Sequence, residues 1–566
     1  MKEKRTVKKQ LFKMMFAICA TFVLSVPIDV RAENEVKENT EANIKGSVID
    51  TKTQHPLSHA SVLVIGTVIT TTTDAEGHYS LKNLPLGKVK IEVRSAGYRA
   101  LRKEVPTEKN YTHEMNFELE PDEIALDEVV VSANRSLTLR RESPVIVNVL
   151  DTKLFESTHS TTLAQGLNFQ PGVRTEDNCT NCGFSQVRIN GLDGHYSQIL
   201  VDSRPVFTAL QGVYGLEQIP ANMVERVEIV RGGGSALFGA SAIGGTINII
   251  TKEPSENSAE LAHTITGATN GSTSFDNNTT GNVSVVTTNG RAGFYLYGQS
   301  RHRSAYDRDG DGYTDLPTLD NKTLGLSSFL RLTDYSKLTL KFHGLKEFRR
   351  GGNNLFLPPH EANIAEQIEH TINGGGLSYD LFNPNGKGHF SAYVSFQNVD
   401  RKSYYGGLGE LASAAEGQKA LNEAYKLGLS LDMSEDDAAK LPSDQQQILA
   451  NAQAYDKAQR AYNVTHNINY IAGAQYVHNF DRLLFMPADL TVGAEYSFDR
   501  IKDRSLGYNS LLEQRVRISS GFVQNEWKNA HWGLLLGGRL DKHNLISHLI
   551  FSPRVNLRYN PTPNAN

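Results

Sequence analysis

Two cysteines separated by two residues, Cys179 and Cys182, are the first groups in the sequence whose spacing suggests chemistry. Such a pair serves redox exchange in thioredoxin-like units, binds zinc together with two further ligands, or closes a local disulfide. The neighbours are Asn, Asp and Gly rather than a βαβ pattern, and no further Cys or His ligands stand at zinc-site spacing. We therefore predict a disulfide that closes a small loop, ahead of the redox and metal alternatives.

An aspartate-rich stretch has the spacing of an EF-hand-like calcium loop. Gly312 at position six permits the sharp turn, and Tyr313 offers its backbone carbonyl at position seven. Position twelve is Thr318 instead of glutamate, so a bidentate ligand has to come from elsewhere, for example Asp320. We predict structural calcium with a dissociation constant on the order of 0.1–1 mM; a solvated acidic turn is the alternative, and no other cofactor is required. The carboxylates at positions one, three, five and nine belong to Asp307, Asp309, Asp311 and Asp315.

A histidine followed by a tyrosine, His195 and Tyr196, forms a third group. Both side chains ligate haem iron in other proteins, and the alternative is plain contact surface. The isolated His and Ser residues elsewhere show no pairing of a base with a nucleophile. The sequence therefore predicts a binding protein rather than an enzyme.

The N-terminus predicts export. A basic stretch at residues 2–13 precedes an apolar run at residues 14–27, which is too short to span a bilayer. Val30, Arg31 and Ala32 then have the spacing that signal peptidase cuts, so residues 1–32 are predicted to be a signal peptide, with an anchor helix as the alternative. The net charge of -4 offers no concentrated basic face for nucleic acid.

Short β-branched runs separated by turn signals occupy residues 43–120. The runs include residues 46–50, 60–64 and 90–93, and the turns lie at residues 74–77 and 84–87. This pattern predicts a small antiparallel β-sandwich. It resembles the carboxypeptidase-regulatory-like domain that precedes many outer-membrane receptors of the Bacteroidetes.

The linker at residues 121–139 contains three consecutive valines between acidic and basic residues. Such a run favours a strand, which is either the last strand of the sandwich or a free peptide that pairs with a partner's sheet edge. The segment resembles a TonB box, and the resemblance implies capture by the periplasmic TonB–ExbB–ExbD complex. The residues of the predicted box are Asp127, Glu128, Val129, Val130, Val131, Ser132 and Ala133.

The motifs at residues 140–253 follow a fixed order: a short helix at 162–167, the cysteine loop, strands at 198–202 and 224–231, and a glycine-rich ending. This order resembles the plug domain of TonB-dependent receptors over its full span. The resemblance implies that His195 and Tyr196 lie at the plug apex. It also implies that four charged residues of the plug pair with the polar inner wall of a barrel. The alternative is that these residues form a solvated strand edge. The four residues are Glu225, Arg226, Glu228 and Arg231.

From residue 258 onward the hydrophobic pattern has a period of two, as in Leu338, Leu340 and Phe342. Strands of about ten residues or more, joined alternately by tight turns and long polar excursions, are typical of a transmembrane antiparallel β-barrel. The longest excursion, at about residues 404–461, has helical composition, with helices expected at 413–427 and 438–461 and Ser434 as a cap. The predicted fold is mainly β: an N-terminal β-sandwich, an α/β plug domain and the first part of a barrel.

About twelve strands fit between residues 258 and 559, whereas a plugged transporter barrel needs about twenty-two, so we expect the barrel to be incomplete in this sequence. The resemblance implies TonB-dependent import across a Gram-negative outer membrane, with membrane lipid around the barrel. Residues 191–200 are similar to ferric-siderophore and colicin-type receptors. A ferric siderophore is therefore the first expected ligand, cobalamin or haem the second, and an oligosaccharide the third. An adhesin would share the export signal and the sandwich but not the plug motifs.

Overall fold

The computed structural model describes residues 40–561, apart from gaps at 59, 96–97, 122–128, 131–137, 140–142, 144, 180–182, 206–214, 233, 240–241 and 507–508. The predicted signal peptide lies outside the described residues, as does most of the predicted TonB box. In the part of the chain that is described, no helix has the length and apolar character needed to cross a membrane.

Residues 43–119 form a sandwich of two small sheets. Alternate residues of each strand point into its core, which contains Ile44, Val62, Ile91 and Phe117, all fully buried. One sheet has the order β4-β1-β7, with β8 also on β1, and the other has the order β3-β2-β5-β6. The sandwich differs from the expected antiparallel one because β7 and β8 run parallel to β1. The strands are β1 (Asn43–Asp50), β2 (Ser61–Val64), β3 (Thr70–Thr72), β4 (His78–Leu81), β5 (Gly87–Arg94), β6 (Leu101–Thr107), β7 (Thr112–Glu114) and β8 (Phe117–Leu119).

The plug follows as an α/β unit. After the short pair β9 (Val129–Val130) and β10 (Thr138–Leu139), a five-stranded sheet has the order β11-β16-β17-β14-β15, and β12 and β13 form a separate hairpin. The expected helix at residues 162–167 is confirmed as α2. The elements are β11 (Val147–Asp151), α1 (Thr152–Ser157), α2 (Leu163–Leu167), β12 (Val173–Cys179), β13 (Phe184–Ile189), β14 (Ser197–Val201), β15 (Arg204–Pro205), α3 (Gly215–Gln218), β16 (Val224–Arg231), α4 (Ser235–Phe238) and β17 (Gly245–Thr251).

The glycine-rich ending of the plug fits the centre of this sheet. Gly245 opens β17 at a φ of +150°, and a Cβ there would lie 2.4 Å from the carbonyl oxygen of Val230 on β16. Only glycine permits this close approach. Ile247 and Ile249, further along β17, are fully buried, so the strand that leads towards the barrel is also the core of the plug.

Twelve antiparallel strands, each paired with the next, form the large sheet that the period-two pattern predicts. Leu340 and Phe342 are 47% and 44% exposed on its outer face, whereas Thr339 is 4% exposed on the inner face. Apolar side chains therefore face outward, as in a membrane barrel. The strands are β18 (Ser258–Ala268), β19 (Ser274–Val286), β20 (Ala292–Arg303), β21 (Thr318–Thr333), β22 (Ser336–Gly352), β23 (Ala365–Phe382), β24 (Gly388–Gly406), β25 (Tyr462–Leu483), β26 (Met486–Ser505), β27 (Ser510–Lys528), β28 (Trp532–His543) and β29 (Ile550–Tyr559).

The connections at the two ends of the sheet differ in length. At one end β21 meets β22, β23 meets β24 and β25 meets β26 through tight turns. At the other end, long segments join β20 to β21, β22 to β23 and β24 to β25. Because barrels of this kind have short periplasmic turns and long outer loops, we refer to the tight-turn end as the periplasmic end and to the other as the outer end.

The longest outer loop contains three helices: α5 (Ala414–Lys426), α6 (Glu435–Ala438) and α7 (Ser443–Arg460). Ser413 and Ser434 cap α5 and α6 with their side chains, as expected for Ser434. The expected helix at 438–461 instead begins at Ser443. Pro442 is the reason, since a proline disfavours helical backbone in the residue before it.

The sandwich rests on the periplasmic end of the barrel. Thr72 donates a hydrogen bond to the hydroxyl of Ser255 at 2.6 Å, and Arg331 donates to the carbonyl of Thr70 at 2.9 Å. The backbone N–H of Val68 donates to the carbonyl of Asp334, in the turn between β21 and β22, at 3.1 Å. A cavity of about 660 Å³ lies at this junction. These contacts place the sandwich at the tight-turn end of the twelve-stranded sheet.

We expect the double variant Thr72→Cys/Ser255→Cys to form a disulfide in most molecules exported to an oxidising compartment. The two γ oxygens lie 2.6 Å apart, so sulfur atoms in their places would need to approach by only about 0.5 Å to reach the length of a disulfide bond. A mobility shift on a non-reducing gel that disappears on reduction measures the cross-link. The two single variants should show no shift, and a double variant without a shift would contradict the docked position.

Candidate functional site

The inner wall of the barrel carries polar side chains that meet the plug. Tyr295 on β20 donates a hydrogen bond to the backbone carbonyl of Asn222 in the plug at 2.8 Å. Gln299 and Arg301 share the face of Tyr295 and are buried. The plug therefore lies against the inner face of the sheet.

A group of buried charges, which we call the outer latch, joins α3 of the plug to β22 and β23. Arg349 donates from Nη1 to Glu217 Oε2 at 2.7 Å and from Nη2 to Glu347 Oε2 at 3.1 Å. Gln218 Nε2 donates to Glu347 Oε1 at 2.9 Å, and His370 Nδ1 lies 3.3 Å from the same oxygen. The side chains of Arg349 and Glu347 are 1% and 0% exposed.

The outer latch keeps its plug carboxylate ionised. Burial alone raises the pKa of Glu217, but Arg349, Arg303 and Arg301 together lower that pKa to about 2. Removing one partner of a buried ion pair costs about 3–5 kcal/mol because the other charge is left without compensation. The latch therefore holds α3 of the plug on the barrel wall at neutral pH.

We expect the outer latch to weaken only when the pH falls below about 4.5. The pKa of Glu217 is lower in the folded protein than its ordinary value of 4.5, so its contribution to stability is complete above pH 4.5. That contribution is lost as the pH falls through 4.5 towards about 2. Plug unfolding, measured against pH in the wild type and in Glu217→Gln, tests this: the difference between the two should be constant from pH 7 to about 5 and shrink below it. A difference that already shrinks between pH 7 and 6 would contradict the assignment.

A second set of contacts, the inner latch, lies near the periplasmic end. Lys341 Nζ on β22 lies 2.7 Å from Asp202 Oδ2 and donates to Thr251 Oγ1 at 2.6 Å. Lys337 Nζ, closer to the turn, donates to Glu253 Oε2 at 3.0 Å. Burial raises the pKa of the Asp202 carboxyl. Its polar contacts, Lys341 first among them, lower that pKa by a larger amount, so it lies below the ordinary value. The inner latch thus fixes the ends of β14 and β17.

Apolar packing joins the plug to the far strands. Leu237 and Phe238 on α4 pack against Phe522 on β27. Arg539 on β28 donates from Nη1 to the carbonyl of Leu237 at 3.1 Å. Since Asn222 of the plug also donates to the carbonyl of Gly281 on β19 at 3.4 Å, contacts to the plug extend from β19 to β28.

The four plug charges named from the sequence lie on β16. Arg226 and Glu228 lie 2.9 Å apart, with Glu228 fully buried, and Arg231 donates to the carbonyl of Pro171. These contacts are within the plug, while Glu225 is partly exposed. Pairing of the four charges with the barrel wall stays a prediction.

The described part of the predicted TonB box is a short strand. Val130 in β9 pairs with Thr138 in β10, and its side chain is buried against Val147 and Val230 of the plug. Val129–Val130 is thus neither the last strand of the sandwich nor a free strand, and packing against plug valines accounts for this. Its role as a TonB box stays a prediction, and Asp127, Glu128, Val131, Ser132 and Ala133 lie outside the described residues.

The β12–β13 hairpin reaches the outer latch. Gly183 accepts a hydrogen bond from Arg349 Nη1 at 3.0 Å, and Cys179 Sγ lies 2.9 Å from Glu366 Oε2 on β23. Both barrel residues are at the outer ends of their strands. Cys182 lies outside the described residues, so the Cys179–Cys182 disulfide stays a prediction.

Tyr196 ends the short 3-10 helix Gly194–Tyr196 directly before β14 and is 39% exposed. The opposite end of β14 leads to Asp202 in the inner latch. Tyr196 is thus on the side of the plug sheet that faces away from the periplasmic end. Ligand contact by His195 and Tyr196 stays a prediction.

The aspartate-rich stretch is an exposed outer loop between β20 and β21. One oxygen from each of Asp307, Asp309 and Asp315 lies within 4.8 Å of the others. Asp311 Oδ1 instead accepts the backbone N–H of Tyr313 at 2.8 Å, and Asp320 Oδ1 lies 2.6 Å from His302 Nδ1. Three of the predicted ligands are thus close together, and calcium binding stays a prediction.

Family models match three parts of the chain. The TonB-dependent Receptor Plug Domain matches residues 140–246, the CarboxypepD_reg-like domain residues 44–131, and the TonB dependent receptor-like β-barrel residues 360–566. The order of the three agrees with the sandwich, plug and barrel of the structure. The chain therefore belongs to the TonB-dependent receptors, a family of receptors and transporters.

Relatives from several bacteria share parts of this organisation. The vitamin B12 transporter BtuB of Vibrio cholerae serotype O1 is 34% identical over 128 residues, which is 23% of this chain and 21% of the relative. The siderophore receptor PirA of Acinetobacter baumannii has a TM-score of 0.56 at 18% identity, covering 75% of this chain and 60% of that one. The ferric enterobactin receptor PfeA of Pseudomonas aeruginosa has a TM-score of 0.56 at 17% identity, with the same coverage. The chain thus spans about 60% of the solved receptors, which share its fold.

The ion pairs described between plug and barrel involve residues that the sequence analysis did not name. The ion pairs to the barrel are made by Asp202, Glu217 and Glu253. Each of these residues lies at or just after the end of a helix or strand, not in the middle of a strand. A charge that directly follows an apolar strand, as Asp202 follows β14, is the one signal that was available. The partners of Glu217 are more than 100 residues away in sequence and have no local signal.

Proposed function

We propose that this protein imports a metal chelate, with a ferric siderophore as the first candidate, across the outer membrane with energy from the TonB–ExbB–ExbD complex. The observation that carries the proposal is the plug fixed against the inner wall of the barrel sheet by two sets of ion pairs, the buried outer latch and the partly exposed inner latch. A fixed plug closes the lumen to diffusion. Import then requires that the plug be moved or remodelled.

The latches explain why energy is needed. The outer latch holds charges that have been removed from water, and separating such partners costs several kcal/mol. The inner latch is partly exposed to solvent and contributes less. A ligand that enters from the outer end would first meet the β12–β13 hairpin and the outer latch, whereas Asp202 and Glu253 lie near the periplasmic end. A pull applied at Val129–Val130 would act on β11 and β16 of the plug sheet, against which Val130 packs.

The metal-chelate class has two sources of support. Solved receptors with this fold include siderophore and ferric enterobactin receptors, and a curated relative is a vitamin B12 transporter. Both kinds of ligand are compact metal complexes. Cobalamin or haem is the second candidate, and the relative BtuB, 34% identical over 128 residues, supports cobalamin. An oligosaccharide is the third.

A transport panel tests the ligand. Cells that express the protein are given ⁵⁵Fe-loaded catecholate and hydroxamate siderophores, ⁵⁷Co-cobalamin, ⁵⁵Fe-haem and a labelled oligosaccharide in separate assays. We expect accumulation of one ferric siderophore well above that in cells without the protein. Accumulation of cobalamin alone would replace the first candidate by the second. Accumulation of the oligosaccharide alone would overturn the metal-chelate class.

A further inference from the structure

The sandwich touches three consecutive periplasmic turns of the barrel. The side-chain amide of Asn83 donates to the carbonyl of Asn289, in the turn between β19 and β20, at 2.8 Å. The sandwich also contacts the turn between β21 and β22, through Val68. Gly66 lies against Gly386 in the turn between β23 and β24, where a Cβ on Gly66 would come within 3.2 Å of the Gly386 Cα. The sandwich therefore spans the periplasmic ends of six strands, β19 to β24.

The sandwich also contacts the segment at residues 252–257, which connects the plug to the barrel. Ser255 in this segment accepts the hydrogen bond from Thr72 at 2.6 Å. Glu253, two residues earlier, pairs with Lys337 in the inner latch. The same segment follows β17, the central strand of the plug sheet. A movement of the plug that separates the inner latch therefore also disturbs the surface on which the sandwich rests.

Like charges meet where the sandwich faces the plug. Glu92 points outward from β5, yet its side chain is 1% exposed, between Arg94 and Arg102. Burial lowers the pKa of the Arg94 guanidinium, and Glu92 raises it. Two nearby guanidiniums, those of Arg102 and of Arg226 on β16 of the plug, lower it as well, and the pKa lies below the ordinary value. Arg94 and Arg226 therefore repel each other across the boundary between the two domains, which opposes docking.

The interface between the sandwich and the barrel is polar and loosely packed. The buried apolar residues of the sandwich form a core of their own, and in the described part of the chain no apolar core joins the sandwich to the barrel. The cavity at this junction is lined by Lys45 and Ser47 of the sandwich and by Thr287 and Arg331 of the barrel. A polar cavity adds no packing between two domains, and hydrogen bonds near water contribute little because water replaces them on separation. The docked position is therefore reversible, in contrast to the buried charges of the outer latch.

A short linker joins the sandwich to the strand at which we expect TonB to pull. β8 ends at Leu119 and β9 begins at Val129, so the nine residues 120–128 lie between them. A linker of this length reaches at most about 35 Å when it is fully extended. Any larger displacement of Val129 must pull on β8 and, with it, on the sandwich. Force applied to β9 is thus transmitted to the sandwich as well as to the plug.

We propose that the sandwich is a detachable periplasmic clamp. Docked on the three turns and on residues 252–257, it holds the end of the plug that carries the inner latch. It leaves this position in each import cycle, because the plug is not displaced at the inner latch while residues 252–257 are held. The polar interface of the clamp separates before the buried outer latch does. The inference rests on the proposed function, since it needs displacement of the plug by TonB, but not on the identity of the ligand.

A disulfide that locks the clamp tests its release. The test variant is Thr72→Cys/Ser255→Cys, whose cysteines join the sandwich to residues 252–257. The matched control is Ser61→Cys/Thr72→Cys, which shares one cysteine but joins β2 to β3 within the sandwich, where Ser61 and Thr72 are register partners. Accumulation of ⁵⁵Fe-loaded catecholate and hydroxamate siderophores, and their binding at the cell surface, are measured before and after treatment of the cells with dithiothreitol. Non-reducing gels give the cross-linked fraction, and wild-type cells treated in the same way control for effects of the reductant.

We expect the test variant to bind siderophore normally but to lose accumulation in proportion to its cross-linked fraction. Accumulation should fall to about one-tenth of the wild-type level when about nine-tenths of the molecules are cross-linked, and dithiothreitol should restore it. The control should stay within about twofold of the wild type under both conditions. Wild-type accumulation by the cross-linked test variant, or an equal loss in the control, would overturn the clamp. Accumulation of neither siderophore by the wild type would contradict the proposed ligand, and a second measurement then decides on the clamp.

This second measurement does not depend on cross-linking. The single variant Thr72→Cys is labelled with a fluorescent maleimide in strains with and without TonB, both supplied with the two siderophores and cobalamin. Release of the clamp exposes the cysteine, so labelling should be about fivefold faster in the strain with TonB. Glu108→Cys, at an exposed position of the sandwich, is the control and should be labelled equally in both strains. Equal labelling rates for Thr72→Cys in the two strains would overturn the clamp.

Discussion

The variant Val130→Pro is expected to abolish energy-dependent uptake while leaving ligand binding at the cell surface intact. Proline removes the backbone N–H that a strand partner needs and is excluded from paired central strands. Val130 is in the segment that we expect TonB to capture, whereas the ligand is expected to reach the plug from the outer side of the membrane. Labelled-ligand accumulation and binding to intact, de-energised cells are the two measurements.

Two control variants distinguish a loss of capture by TonB from a loss of side-chain packing against the plug. Val130→Ala removes part of the buried side chain next to Val147 and Val230 but keeps the backbone donor, so uptake should persist. Thr138→Pro disturbs the β9–β10 pair from its other strand, outside the predicted box, and should also keep uptake. Uptake at the wild-type level in Val130→Pro, or its loss in all three variants, would contradict the assignment.

The variant Arg349→Leu is expected to reduce the free energy of plug unfolding by about 3–5 kcal/mol. The arginine contacts Glu217 on the plug and Glu347 on the barrel. Its loss leaves Glu217 with the more distant Arg303, at 3.8 Å, and Glu347 with His370, at 3.3 Å. Calorimetry of the purified protein and the rate at which a protease cleaves the plug measure the effect.

The double variant Glu217→Gln/Arg349→Leu should recover part of that loss, since it removes one of the two stranded charges. Arg504→Leu on the outer face is the matched control and should change stability by less than about 0.5 kcal/mol. An effect of Arg349→Leu as small as that of Arg504→Leu would show that the outer latch does not hold the plug.

The barrel was predictable because its signal is local. Leu338, Leu340 and Phe342 repeat every second residue, and each strand carries enough such positions to define which face meets lipid. The plug was predictable from the order of its motifs, and the serine cap of α6 from its position before three acidic residues. The sequence analysis placed the start of α7 too early because residues of helical composition extend across Pro442. A proline disfavours helical backbone in the residue before it, so the helix begins at Ser443.

The latches were not predictable because they join distant residues. Glu217 meets Arg349, and Asp202 meets Lys341, through the seating of one domain inside another. No periodicity in either segment records such a contact. The pairing of Val130 with β10 was not predictable for a related reason, since a run of valines favours a strand but does not specify which strand it pairs with.

The most direct test of the central claim is accumulation of a labelled metal chelate in two strains that express this protein, one with and one without TonB. We predict that cells bind the chelate at the surface in both strains and accumulate it only in the strain with TonB. Equal accumulation in the two strains would contradict the account, because a plug held by buried ion pairs would then open without TonB.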